Sequence, residues 1–336
     1  MLPPSAPSSV QSPTVQPSAS RLPQVVLRAD QSEMTARWDF ILRVPFGPGR
    51  HELTYQPPSQ SAPMEPSSFA VAPDGSFWIV DAGKERIAHF DQDGRFLEEV
   101  GTPGHHAEDI VFSGASMYAL LDEQTGSIAQ VRPDGLRSVT VNANGRSLMI
   151  FPRLDAPSGG LVARSIGYAG STGQFEGPAG YVRVDVSAGG QAEILPGLPI
   201  GRQTEIRLDP GRSDEEFDLL YLRDGMATAQ PVHFELFVGG GSKKKRVPGI
   251  FGPDPLPLDG DVPMYVMVSP ARSGDQERYG GSRWFLRMGR SPVLWERLPD
   301  PGIPDEAQRR HVASGSHGSL YLMVLTKTGA SIYRRP

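Results

Sequence analysis

The sequence predicts an all-β chain folded as a six-bladed β-propeller, preceded by a disordered Pro/Ser-rich N-terminal segment, on three observations. The first is an internal echo: Gly75, Phe77-Trp78-Ile79-Val80-Asp81, Ile87 and Asp93-Gly94 return as Gly114, Met117-Tyr118-Ala119-Leu120-Leu121-Asp122, Ile128 and Asp134-Gly135. From the strand-ending aspartate onward each landmark shifts by 41 residues, the size of a propeller blade. The second is a series of six apolar runs, at residues 77–80, 117–121, 161–163, 219–222, 264–268 and 320–325, whose starts lie 40, 44, 58, 45 and 56 residues apart. The third is composition: 38 Gly and 33 Pro among 336 residues, with no amphipathic helix to be found, favour short strands and turns.

Taken in chain order, the first two dozen residues are almost entirely Pro, Ser, Ala, Gln, Val and Thr. Such a stretch buries too little to repay the entropy of ordering, so residues 1–35 are expected to form a disordered tether and residues 36–336 the propeller. Tethers of this composition join membrane anchors to outer domains in bacterial envelope proteins, which suggests an extracytoplasmic, cell-envelope location. Two strand-like runs follow, 38–44 and 51–55, separated by the turn Pro45-Phe46-Gly47-Pro48-Gly49. The six later runs are mostly apolar at consecutive positions, as in strands covered on both faces. An aromatic recurs in five of them, at Trp78, Tyr118, Tyr221, Tyr265 and Tyr321. The two long intervals place insertions at 165–178 and 271–281. After the last run only Ser331-Ile332-Tyr333-Arg334-Arg335 remains as a strand, so the sixth blade is one strand short. Residues 51–55 are expected to supply it, pairing beside 331–335 and hiding an open edge.

The stretch Ser68-Phe69-Ala70-Val71-Ala72-Pro73-Asp74-Gly75-Ser76-Phe77-Trp78-Ile79-Val80-Asp81, continuing through Arg86-Ile87-Ala88-His89-Phe90-Asp91 to Asp93-Gly94, resembles an NHL repeat. The second copy keeps Asp122, Ile128 and Pro133-Asp134-Gly135 but has Ser127 where the pattern has arginine. The resemblance covers residues 66–140. It implies a propeller and is nearly silent on activity, because propellers host lyases, lactonases and binding platforms alike. Within the repeat, the Asp-Gly pairs read as tight turns. Asp81 is placed to accept amide hydrogen bonds or to pair with Arg86.

Several chemistries are excluded. The chain has no cysteine, hence no disulfide, thiolate metal site or cysteine nucleophile. A net charge of −5 argues against general nucleic-acid binding. No signal-peptide pattern opens the sequence, no apolar run reaches the length of a membrane span, and no nucleophile elbow, phosphate-cradling loop or dinucleotide fingerprint occurs. Histidines are the candidates for a channel-mouth site. His105 and His106 lead into the second blade beside Asp109, and His311 precedes Gly318 by the same seven residues that separate Ser68 from Gly75 and Ala107 from Gly114. Metal ligation would centre on His106 and His311; solvated loop histidines are the plainer reading. A lactonase of the senescence-marker and gluconolactonase type would spread carboxylate and amide ligands for a divalent cation over several blades, yet Asn142 and Asn144 are the only asparagines. The cationic Gly239-Gly240-Gly241-Ser242-Lys243-Lys244-Lys245-Arg246 reads as a solvated hairpin tip. The expected function is therefore a non-catalytic, monomeric scaffold presenting loops to a protein or carbohydrate partner. The alternative is a lactonase-like hydrolase or lyase working through a divalent metal at His105, His106, Asp109 and His311.

Overall fold

The computed structural model describes residues 20–21, 23–30, 38–56, 64–122, 127–139, 148–156, 160–169, 175–176, 180–184, 192–195, 197–199, 204–210, 216–223, 226–238, 245–247, 249–255, 264–270, 284–288, 294–297, 310, 312–315 and 319–335. Among the described residues the strands fall into six sheets, and the one helical element is the 3-10 turn Ala82–Lys84. The first sheet is an antiparallel meander of Pro66–Val71, Phe77–Asp81, Arg86–Phe90 and Phe96–Gly101. The second repeats it with Asp109–Ser113, Ser116–Asp122, Ser127–Arg132 and Gly135–Val139. The third comprises Leu148–Asp155, Leu161–Ala169, Gly180–Val184 and Ala192–Leu195, with Phe175–Glu176 folded back on Leu161–Ala169. The fourth runs Leu198–Pro199, Thr204–Pro210, Glu216–Arg223 and Met226–Val238, and the fifth Gly249–Pro255, Met264–Pro270, Trp284–Met288 and Leu294–Arg297. The sixth has Val312–Ser314, Leu320–Thr326 and Gly329–Arg335, completed by Asp39–Pro45 from the other end of the chain. Each of the six apolar runs lies in a different sheet.

Double burial explains the apolar runs. Phe77 and Ile79 point into a core shared with Met323, Leu325 and Ile332 of the sixth sheet, whereas Val80, one residue on, points into a core shared with Ile110, Ala119 and Ala129 of the second. Tyr118, Leu120 and Ile128 in turn meet Leu154, Leu161 and Ala163 of the third. Successive residues of a strand thus serve opposite faces, and the first sheet is sandwiched between the sixth and the second, the second between the first and the third. The first strands of sheets six, one, two and three lie side by side in that order.

The N-terminal region departs from expectation in two places. The strand completing the sixth sheet is Asp39–Pro45, not 51–55, with Leu42 opposite Ile332 and Val44 opposite Ala330. Its alternation suits an edge: Leu42 and Val44 are buried between exposed Arg43 and Pro45. Residues 51–55 instead turn back between the sixth and first sheets, the Leu53 amide donating to the Pro45 carbonyl at 2.9 Å and the Thr54 amide to Asp81 of the first sheet at 3.0 Å. The second departure lies within the stretch expected to be a tether. Ser20–Arg21 and Val25–Asp30 are strands running parallel to Met226–Val238 on the fourth sheet. The apolar triplet Val25-Val26-Leu27 gives this segment a reason to pair that Pro/Ser tracts lack. The 165–178 insertion begins as an extension of the strand Leu161–Ala169 before Phe175–Glu176; the 271–281 insertion lies outside the described residues, as do 239–244 of the cationic tip.

Candidate functional site

Where the first strands converge, four sheets contribute to one buried polar node. Asp109 opens the first strand of the second sheet and is fully buried, at 0% exposure. Its Oδ1 accepts from Arg310 Nε at 2.8 Å and from the Ser68 hydroxyl, and its Oδ2 accepts from Arg310 Nη2 and from the Leu154 amide, both at 2.6 Å. Arg310, immediately before the sixth sheet, also donates to the Leu154 carbonyl, and its own amide donates to the Ser67 carbonyl at 3.2 Å. Arg153 and Asp155 form a second buried pair at 3.4 Å on the third sheet, with Asp155 3.9 Å from Arg310. Burial works against the Arg310 charge, but Asp109 outweighs it and holds the guanidinium above the usual arginine range. At Arg153 burial prevails over the pull of Asp155, and the value falls below that range.

Both Asp109 oxygens are therefore engaged, and a forked, fully desolvated arginine–carboxylate pair is a rigid tie. It welds sheets six, one, two and three. Of the residues singled out in the sequence, Asp109 belongs to this node. His105 and His106 do not: they sit exposed in the 102–106 turn, where the His105 amide donates to the Thr102 carbonyl at 2.9 Å. His311 lies outside the described residues. Among the described residues no group of three or more His, Asp or Glu side chains is arranged to hold a metal. The residue that sequence reasoning missed is Arg310. Its signal is faint, but Ser68 and Asp109 lie 41 residues apart, a polar pair at the repeat spacing within apolar strands.

A second network explains the repeat's Asp and Arg. Asp81 Oδ2 receives Arg86 Nε at 3.0 Å and Nη2 at 2.9 Å, while Asp81 Oδ1 accepts the Thr54 amide at 3.0 Å. Arg86 continues to the Arg50 carbonyl at 2.7 Å and to Glu99 at 2.5 Å. Lys84 donates to the carbonyls of Gly47, Gly49 and Glu52 at 2.9, 2.8 and 2.6 Å. Burial pushes the Lys84 ammonium below its usual range. The cluster is a clamp holding turn 47–54 against the first sheet.

A third group has the contacts of a charge relay. His89 Nε2 lies 2.8 Å from Ser76 Oγ, and Nδ1 lies 3.3 Å from Glu98. Yet the Ser76 hydroxyl donates to Asp74 at 2.6 Å. A carboxylate only accepts, so the serine proton points at Asp74 and His89 must donate to the serine oxygen. Such a histidine cannot withdraw the serine proton, and Ser76 is itself buried. His89 stacks on Trp78, centroids 4.0 Å apart and planes at 11°, which makes the group a cross-strand ladder.

A family model described as Domain of unknown function (DUF7485) matches residues 36–132, less than a third of the chain. That stretch contains the edge strand 39–45, the clamp and Asp109. No curated protein matches. Among solved structures, a member of the duf4221 family from Bacteroides vulgatus is similar to this chain with a TM-score of 0.50 at 10% identity, covering 90% of this chain and 97% of that one. A gluconolactonase from Xanthomonas campestris aligns with a TM-score of 0.41 at 11% identity, over 81% of this chain and 87% of its own. A streptogramin B lyase aligns with a TM-score of 0.37 at 12% identity, over 80% and 92% respectively. The fold is all-β and β-propeller-like.

Proposed function

We propose that the six sheets close into a six-bladed ring and that the chain acts as a non-catalytic platform for a protein partner. Ring closure is supported by the side-by-side first strands of sheets six, one, two and three and by an N-terminal strand completing the last sheet. One observation carries the functional reading: Asp109, the carboxylate that the sequence offered for a channel-mouth site, is spent on Arg310, Ser68 and the Leu154 amide. Its role is to join blades. A protein partner is favoured over a carbohydrate by the exposed large apolar residues, where Met64 and Met226 join Phe40, Leu97 and Val26. Met and Phe are enriched in protein interfaces, and Phe40 is the lone aromatic in that set.

The test uses the purified full chain, prepared without chelator, against panels of lactones and esters, with elemental analysis of the same sample. The expected outcome is no turnover above buffer and no stoichiometric metal. Turnover that is abolished by His106→Ala or His311→Ala would overturn the reading in favour of a metal-dependent hydrolase or lyase.

A further inference from the structure

We propose that Asp134-Gly135 is a site of spontaneous backbone isomerisation, at which the aspartate side chain takes over the peptide link. The reaction needs neither enzyme nor partner. Five Asp-Gly steps occur in the sequence, of which 224–225 and 259–260 lie outside the described residues. The other three are the tight turns of the repeat, alike in sequence and unlike in the fold. At Asp74-Gly75 every group is committed. The Asp74 carboxylate accepts from the Ser76 amide at 2.9 Å and the Ser76 hydroxyl at 2.6 Å, its carbonyl accepts from Gln92 Nε2 at 2.6 Å, and the Gly75 amide donates to the Ala72 carbonyl at 2.9 Å. A side-chain carbon added at Gly75 would lie 2.8 Å from Gln92 Nε2. At Asp93-Gly94 the Asp93 amide donates to the Asp91 carboxylate at 2.9 Å and the Gly94 amide to the Asp91 carbonyl at 3.1 Å. Leu42 Cβ lies 3.4 Å from where a Gly94 side chain would begin.

Asp134 differs from both. It is exposed, and its carboxylate has no hydrogen bond or ion pair among the described residues. Nothing lies within 4 Å of where a Gly135 side chain would begin. Gly135 pairs with Arg132 at the open end of its ladder, where structure is least protected. An uncommitted carboxyl, a following residue without Cβ and room to swing are what ring closure requires. The Gly135 nitrogen attacks Asp134 Cγ, the C–OH bond of the acid form breaks, and the hydroxyl leaves with the amide hydrogen as water, closing a five-membered imide. Water then adds at the main-chain carbonyl of Asp134 and breaks its bond to the Gly135 nitrogen, which regains a hydrogen. The link now runs through Cγ, and the former carbonyl is a carboxyl group. No oxidant or cofactor is consumed. The main chain gains one carbon in the hairpin that joins Ser127–Arg132 to Gly135–Val139, the outer strand of the second sheet.

The test keeps the full chain for weeks in buffer made with heavy-oxygen water, one sample native and one in concentrated urea, before digestion and separation of the peptides. Each ring opening inserts one heavy oxygen, so mass and the new isomeric peak report the rate at each step. In native protein the 134–135 step is expected to react at least about tenfold faster than 74–75 and 93–94, and in urea the three rates converge. Asp134→Ser abolishes uptake in its own peptide and leaves the other two unchanged. No reaction at 134–135, equal native rates at the three steps, or a spread in urea as wide as the native one overturns the proposal.

Discussion

Asp109 and Arg310 are both almost entirely shielded from water, so neither charge is tolerable without the other. Removing one member of a buried pair strands an uncompensated charge, at a cost of about 3–5 kcal/mol, whereas replacing both with apolar residues of similar volume is often close to neutral. Asp109→Asn is therefore expected to lower the urea midpoint strongly. Asp109→Leu combined with Arg310→Met should recover much of the loss, and the double-mutant cycle between them should give a coupling well above 1 kcal/mol. Additive single effects would mean that the pair does not act as a unit. Two carboxylates outside the node, Asp74 and Glu99, couple stability to pH. The Ser76 hydroxyl and amide hold Asp74 below its usual range. At Glu99 burial pushes upward, but Arg86 and Arg50 outweigh it and the net displacement is also downward. Their folded-state values lie below the unfolded ones, so the stability they add is complete above the ordinary carboxylate range and is lost as pH falls through the folded values. Urea unfolding in steps below about pH 5 should show a decline that flattens in Asp74→Asn; an identical slope in the variant would remove Asp74 as a contributor.

At the scale of the strand, the sequence was legible wherever burial on both faces wrote consecutive apolar residues. All six runs became strands of separate sheets, and the echo from Asp81 to Asp122 marks equivalent strand ends. What the pattern could not convey was partnership at the edges. Residues 38–44 and 51–55 both read as strands, and only the alternation of Leu42 and Val44 against Phe40 and Arg43 distinguishes the one that needs a wet face. Likewise, Arg310 was illegible because an ion pair spanning 201 positions leaves no local periodicity. The edge assignment makes a contrast testable within one strand. Leu42→Ala, at 3% exposure, should cost about 2–4 kcal/mol. Phe40→Ala, half exposed on the same strand, should cost under about 1 kcal/mol. Equal effects in denaturant melts would show that Asp39–Pro45 does not face the core as described. The clamp predicts something different: Arg86→Ala should speed amide exchange across 47–54 before it alters exchange in Gly329–Arg335, because the turn depends on Arg86 and Lys84 for its anchoring.

For the whole molecule, the decisive arrangement is that the two ends of the chain share one core. Leu42 and Val44 from the N-terminal region, Met323, Leu325 and Ile332 from the C-terminal sheet, and Phe69, Phe77 and Ile79 from the first sheet are packed together. In a linear stack of repeats the terminal unit touches one neighbour only and frays by itself, so a lesson in the last repeat stays there. Here the last sheet touches the first. Leu325→Ala, which hollows a fully buried site in the sixth sheet, should therefore accelerate amide exchange in Phe77–Asp81 about as much as in Gly329–Arg335, although the two strands are far apart in the sequence. The same variant should still unfold in a single transition by fluorescence and far-ultraviolet circular dichroism, since neither end can open without the other. Exchange confined to Leu320–Arg335, or a separate early transition carrying only the sixth sheet, would show that the shared core does not couple the ends and that the sheets behave as an open stack.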